Sequence, residues 1–261
     1  MCLTKPRIVY NGMHATLILL ALWTCVCHVQ NLNVVVYCQC LSWGASANTL
    51  CKSALAVCYS VTEYCCPVWA RSSYTNLIGT QLHCSMCLIL GCLQLTQLSW
   101  LSVLSNVAPP SLRRKAATDN MLQIVEAHPS WPVYADVFEH PPWRLASRRP
   151  VWSDVTSIDK VQWREDWSLA SVVNHTIVTS PTIRQPGFNL PRHAWSLLNR
   201  FRTGQGPCHA NLHKWGLTQS PACDCGEHQT MNHIVDICPL TKFKGGLNLL
   251  HDADESSSRI N

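Results

Sequence analysis

Charge is scarce in this chain: Asp, Glu, Lys and Arg make up 13% of its 261 residues, against roughly a quarter in an average soluble domain. A chain so poor in charge and 47% hydrophobic is not a charged disordered polymer. Acid is scarcest in the first part, where Glu63 is the single carboxylate among residues 1–118. Several catalytic signatures are also missing. There is no phosphate-cradling P-loop, no Gly-x-Ser-x-Gly elbow and no His-Glu-x-x-His helix. That excludes the commonest routes to nucleotide, ester and zinc-protease chemistry. No internal repeat is visible.

What the chain does have is unevenly spread. Twelve of sixteen cysteines lie in residues 1–118, while the other fourteen acids, most of the proline and seven of eleven tryptophans lie beyond them. The length suits one large domain or two small ones, and the composition changes near Pro109-Pro110. The net charge of +5 favours anionic partners only mildly. Many cysteines sit in apolar runs, as at Cys58, Cys65, Cys66, Cys84, Cys87 and Cys92. This is cysteine used as a small core hydrophobe, which points to a reducing, intracellular compartment, nucleus or cytoplasm. Against this, residues 14–28 form an apolar run behind Lys5 and Arg7. Its length suits a signal-peptide core better than a spanning helix of about twenty residues. The alternative is therefore a secreted or membrane-anchored cysteine-rich protein, and only then does the Asn174-His175-Thr176 sequon matter.

Helical periodicity dominates the chain from residue 46 onward. Apolar residues at 50, 54, 57, 58, 61 and 65 predict a helix capped by Ser46 or Asn48 and stopped by Pro67. A second is expected from Ser73 to about Cys92, with Leu77, Ile78, Leu82, Met86, Ile89 and Leu90 buried and Gly91 marking its end. A short helix at 97–105 precedes a fourth from Pro109-Pro110, carrying Leu112, Ala116, Met121, Leu122 and Val125. Residues 128–191, broken by eight prolines, read as a Pro/Trp-rich connector with one helix at 159–173. Within it, Arg144, Arg148 and Arg149 beside Trp143 and Trp152 suit either a single-strand stacking surface or plain surface packing. Arg192–Arg202 is again helical and ends at Gly204. Arg113, Arg114 and Lys115, with Arg200 and Arg202, are candidate phosphate contacts; the plainer reading is solvated helix faces.

One constellation carries chemistry. Cys223, Cys225, His233 and Cys238 follow the pattern C-x-C-x7-H-x4-C. Zinc prefers four such ligands at about 2.0–2.3 Å in a tetrahedron. Gly226 lets the chain double back, Thr230 or Asn232 can cap a short helix bearing His233, and Cys238 closes the set. Cys208, His209, His213 and His228 are alternates. Four protein ligands leave no open position, so the expected zinc is structural. Tyr134-Ala135-Asp136-Val137 resembles the Tyr-x-Asp-Asp turn of polymerases, but Val137 stands where a second metal-binding carboxylate is needed.

Larger segments carry a family resemblance. Residues Trp43-Gly-Ala-Ser-Ala-Asn-Thr-Leu50, Ser53-Ala-Leu-Ala-Val-Cys-Tyr-Ser60 and Glu63-Tyr-Cys-Cys-Pro-Val-Trp69 resemble the region after the palm in non-LTR retrotransposon reverse transcriptases of the jockey-like and related lineages. Leu101 to Arg114 continues it as thumb-like sequence. Leu197 to Gly206 and Cys223 to Pro239 resemble the C-terminal part, which ends in a cysteine-histidine knuckle. The resemblance implies a mainly α chain with a thumb-like region at 42–127, the connector at 128–191, and a helix plus zinc knuckle at 192–250. Residues 1–41 have no counterpart, and 251–261 read as a disordered tail. It further implies non-specific RNA or DNA as partner and no small-molecule substrate. The palm aspartates are absent, so the expectation is a non-catalytic remnant; its alternative is polymerase activity regained through a partner's palm.

Overall fold

The computed structural model describes residues 45–64, 66–69, 75–139 and 160–252, and the fold is mainly α. No β-strand occurs among the described residues; Ala222 and His228 form an isolated bridge. None of these helices is long and apolar enough to cross a membrane. The apolar run at 14–28 and the arginines at 144–149 lie outside the described residues.

Helix α1, Ala47–Ala54, starts at Ser46, whose Oγ accepts the Thr49 amide at 3.3 Å. It runs through a π turn, Leu55–Tyr59, into α2, Ser60–Glu63. A π turn is wider than an α turn, and the extra residue rotates everything after it. The buried stripe therefore moves from the predicted 57, 58 and 61 to Tyr59 and Thr62, leaving Val57 37% exposed. Pro67 does not stop this helix. Tyr64 does, by turning extended (φ −57°, ψ 126°) before α3, Cys66–Trp69. Pro67 sits in the first turn of α3, where its missing amide costs no hydrogen bond.

Helix α4, Thr75–Leu90, buries Ile78, Leu82, Met86, Ile89 and Leu90 as its periodicity requires, but leaves Leu77 exposed. Gly91 ends it with φ +67°. Helix α5, Leu98–Ser105, is buried from Trp100 onward and stops at Asn106 in the left-handed region. Helix α6, Pro110–Glu126, buries only Leu112, Thr118 and Val125; Ala116 is exposed. Its Arg113 forms a two-pronged pair with Glu63, at 2.5 and 2.6 Å, and lies over the Tyr59 ring. The lone acid of the first 118 residues thus joins α6 to α2. Residues 134–137 lie in helical turns, Pro132–Tyr134 and Ala135–Glu139, with Val137 buried.

Helix α7, Lys160–Ser168, ends before the predicted 173. The turn after it brings the Val173 carbonyl to Trp100 Nε1 at 3.0 Å, a tertiary bond that helical continuation would not allow. Trp167 meets Trp100 edge-on at 5.1 Å and stacks on His175.

Helix α8, Arg192–Arg202, buries Trp195 and Leu198 in a core cluster that draws residues from Ala47 to Leu250. It also serves the end of α4, whose last carbonyls have no partner within the helix. Arg192 donates to the Leu88 carbonyl at 2.8 Å and to that of Ile89. Asn199 donates to Leu90 at 3.2 Å, and Arg200 to Gly91 at 2.9 Å. Helices α9, His209–Lys214, and α10, Gly246–His251, flank the cysteine-histidine segment.

Candidate metal centre

A small turn begins the site. The Gly226 amide donates to the Cys223 carbonyl at 2.8 Å, and the Cys223 amide to the Glu227 carbonyl at 2.7 Å. Gly226 makes the reversal at φ +93°, a conformation L side chains rarely adopt. Thr230, one of two predicted caps, accepts the His233 amide on Oγ1 at 3.1 Å. His233 opens a π turn, His233–Ile237, and the Cys238 amide closes it on the His233 carbonyl at 2.7 Å.

These elements bring the four predicted ligands together. One donor atom each from Cys223, Cys225, His233 and Cys238 lies within 4.8 Å of all the others. Cys223 and Cys238 sulfurs are 3.7 Å apart, and Cys225 Sγ is 3.2 Å from His233 Nε2. A tetrahedron with metal–sulfur bonds of about 2.3 Å has sulfur–sulfur edges of about 3.8 Å. The Cys223–Cys238 separation matches that edge, and the four donor atoms are close enough together that the group could hold a metal ion.

Hydrogen bonds favour thiolate. The Cys225 amide, then the Gln229 carboxamide, hold the Cys223 thiol below its usual range; Gln229 Nε2 lies 3.3 Å from the sulfur. The Thr241 hydroxyl, then the Leu240 and Thr241 amides, bring Cys238 down to about 6. At Cys225 the Glu227 amide favours thiolate but is outweighed by desolvation and the adjoining sulfurs, which push it up. The nearby Cys223 sulfur raises His233. Gln229 also accepts the His209 amide on Oε1 at 2.8 Å, tying the start of α9 to a ligand sulfur. Neither Gln229 nor Thr241 was identified from sequence: a lone amide or hydroxyl near a cysteine carries no spacing signal.

The alternates do not join the set. Cys208 is buried with Ala210 and Met231 in a separate apolar cluster. His209 donates from Nδ1 to the Ala222 carbonyl, and His213 and His228 are exposed. No family model matches this chain, and neither does any curated protein or solved structure.

The five candidate phosphate contacts do not form one surface. Arg113 is paired with Glu63, and Arg200 donates from Nε to the Gly91 carbonyl. Arg202 corrects the expectation most clearly, because it is 1% exposed and cannot reach a phosphate. It donates to His251 Nδ1 at 2.9 Å, to the Pro186 carbonyl at 2.8 Å and to the His251 carbonyl at 3.0 Å. Burial pulls its guanidinium down to about 9. Arg114 and Lys115 stay half-exposed on α6, with Lys115 Nζ 3.5 Å from Gln162 Oε1.

Proposed function

We propose that this chain is a non-catalytic, zinc-stapled helical module derived from the post-palm part of a non-LTR reverse transcriptase, with weak, non-specific affinity for RNA or DNA. The observation that carries the zinc is the compact Cys223, Cys225, His233 and Cys238 set, whose spacing fits a tetrahedron. Three sulfurs and one imidazole nitrogen are the donor set zinc favours. With four protein ligands no position is open to activate water, so the ion's role is to hold the fold. Such a clasp would add to a small apolar anchoring: a cluster of Cys208, Ala210 and Met231 with Phe201 and Ile234 beside it, and Val235 in the main core.

The family assignment rests on the sequence resemblance, and the mainly helical fold accords with it. Nucleic-acid affinity rests on the excess of cations and, at the surface, on Arg114 and Lys115. The test is elemental analysis of the full-length reduced protein, together with a Cys225→Ser variant. About one zinc per chain in the wild type and a loss in the variant support the reading. A folded wild-type chain that neither contains nor takes up zinc overturns it.

A further inference from the structure

The four ligands are not equally shielded. Cys223 is 7% exposed, His233 4% and Cys238 0%. Cys225 alone is half-open, and its neighbours Asp224, Gly226 and Glu227 are exposed. Nothing lies within 4 Å of where a Cβ would stand on Gly226, so the turn is open to solvent at that residue. A small oxidant from solvent therefore meets one sulfur of the three first.

We infer that Cys225 is a peroxide-sensitive modification site that opens the metal clasp, an inference that rests on the proposed zinc site. Solvent access decides which of the three sulfurs meets the oxidant, and Cys225 is the accessible one. The Cys225 sulfur attacks one peroxide oxygen, the O–O bond breaks, and a sulfenic acid and hydroxide result. A second thiolate then attacks the sulfenyl sulfur; the S–S bond forms, the S–O bond breaks and a second hydroxide leaves. Two electrons have passed from two thiolates to one peroxide, and the two hydroxides leave to solvent, where buffer acid protonates them.

Geometry names the second thiolate. Cys223 is two residues away on the same tight turn, where a bridge would close a small strained ring. Cys238 comes from the far end of the His233–Ile237 turn, with its sulfur within 4.8 Å of the Cys225 sulfur. The bridge requires that gap to close to a disulfide length of about 2.05 Å. Two of the four ligands are then consumed. Cys223 and His233 alone do not retain zinc, and the segment from α9 to α10 loses its clasp.

The experiment uses full-length, zinc-loaded protein treated with hydrogen peroxide. Free zinc is read with a chromophoric chelator, sulfenic acid is trapped with dimedone, and bridges are mapped by peptide mass spectrometry. The expected result is about one zinc released per chain, with dimedone on Cys225 and then a Cys225–Cys238 bridge. Dithiothreitol plus zinc should restore the starting state. Zinc retained while buried cysteines oxidise, or a bridge mapped to Cys223 and Cys238, overturns the inference and leaves the zinc reading standing. Protein that cannot be loaded with zinc overturns both. A Cys58→Ser variant, altered at a half-buried helical cysteine outside the clasp, should release zinc as the wild type does; a loss of release there also overturns the inference.

Discussion

Asn199 Nδ2 donates to the Leu90 carbonyl at 3.2 Å, so a side chain of α8 finishes the hydrogen bonding of α4 across 109 positions of sequence. Asn199 is fully buried, as is Leu90. Leaving a buried carbonyl without a donor costs about 1–3 kcal/mol. Asn199→Leu should lower stability by about that amount, read as a shift of the urea midpoint with unchanged slope.

Gly91 offers a second test of the same junction. Its φ is +67°, and a Cβ there would stand 2.3 Å from Ser196 Oγ. Gly91→Ala should be destabilising by more than the roughly 1 kcal/mol that glycine costs inside a helix. Thermal unfolding measures it. A neutral outcome would mean that α4 and α8 do not approach this closely.

Gln229 links the candidate metal site to α9, since one carboxamide meets Cys223 Sγ and the His209 amide. Partners of this outer kind, when removed, commonly cost about 10–100-fold in metal affinity. Gln229→Leu should weaken zinc binding in that range while keeping one site per chain, as read by competition with a chelator of known affinity.

His251 sets a pH dependence. Burial, then the Arg202 cation, pull its imidazole down to about 4 from an ordinary 6.5. Between those values the unfolded chain binds a proton that the folded chain refuses. Stability therefore falls as pH drops from 6.5 towards 4, levels below that, and is untouched by this group above 6.5. His251→Asn should flatten the slope in that window. Zinc content measured at each pH separates this effect from acid release of the metal.

Of the candidate cations, Arg114 and Lys115 are half-exposed neighbours on α6 without an acidic partner among the described residues, and are the proposed phosphate contacts. Changing both to Gln should lower the salt slope of nucleic-acid binding by about 1–2, measured by anisotropy over a salt series. Arg202→Met should instead cost stability, because it strips a buried hydrogen-bond network.

Much of the helical pattern could be read from residue spacing. Gly91 and Pro110 mark real ends, and the buried face of α4 follows its apolar period with Leu77 as the exception. The metal group was also readable, because ligand chemistry fixes both residue type and spacing. The π turn at Leu55–Tyr59 was not, since periodicity assumes one pitch throughout and cannot show where an extra residue enters. Arg202 of α8 was misjudged for a related reason. A cation on a helix looks like surface in sequence, yet Arg202 is buried and answers carbonyls at Pro186 and His251, and its helix mates Arg192 and Arg200 reach carbonyls of α4 and Gly91 more than a hundred residues away.

Asn174 holds a left-handed turn at φ 56° and donates from Nδ2 to the Phe201 and Arg202 carbonyls, while Asn232 Nδ2 donates to its Oδ1 at 2.8 Å. That carboxamide nitrogen is the atom an oligosaccharide would occupy on the sequon. A sugar attached there would take one of its two hydrogens and crowd the carbonyls that end α8. Core glycosylation at Asn174 would therefore loosen the seam between this turn and α8.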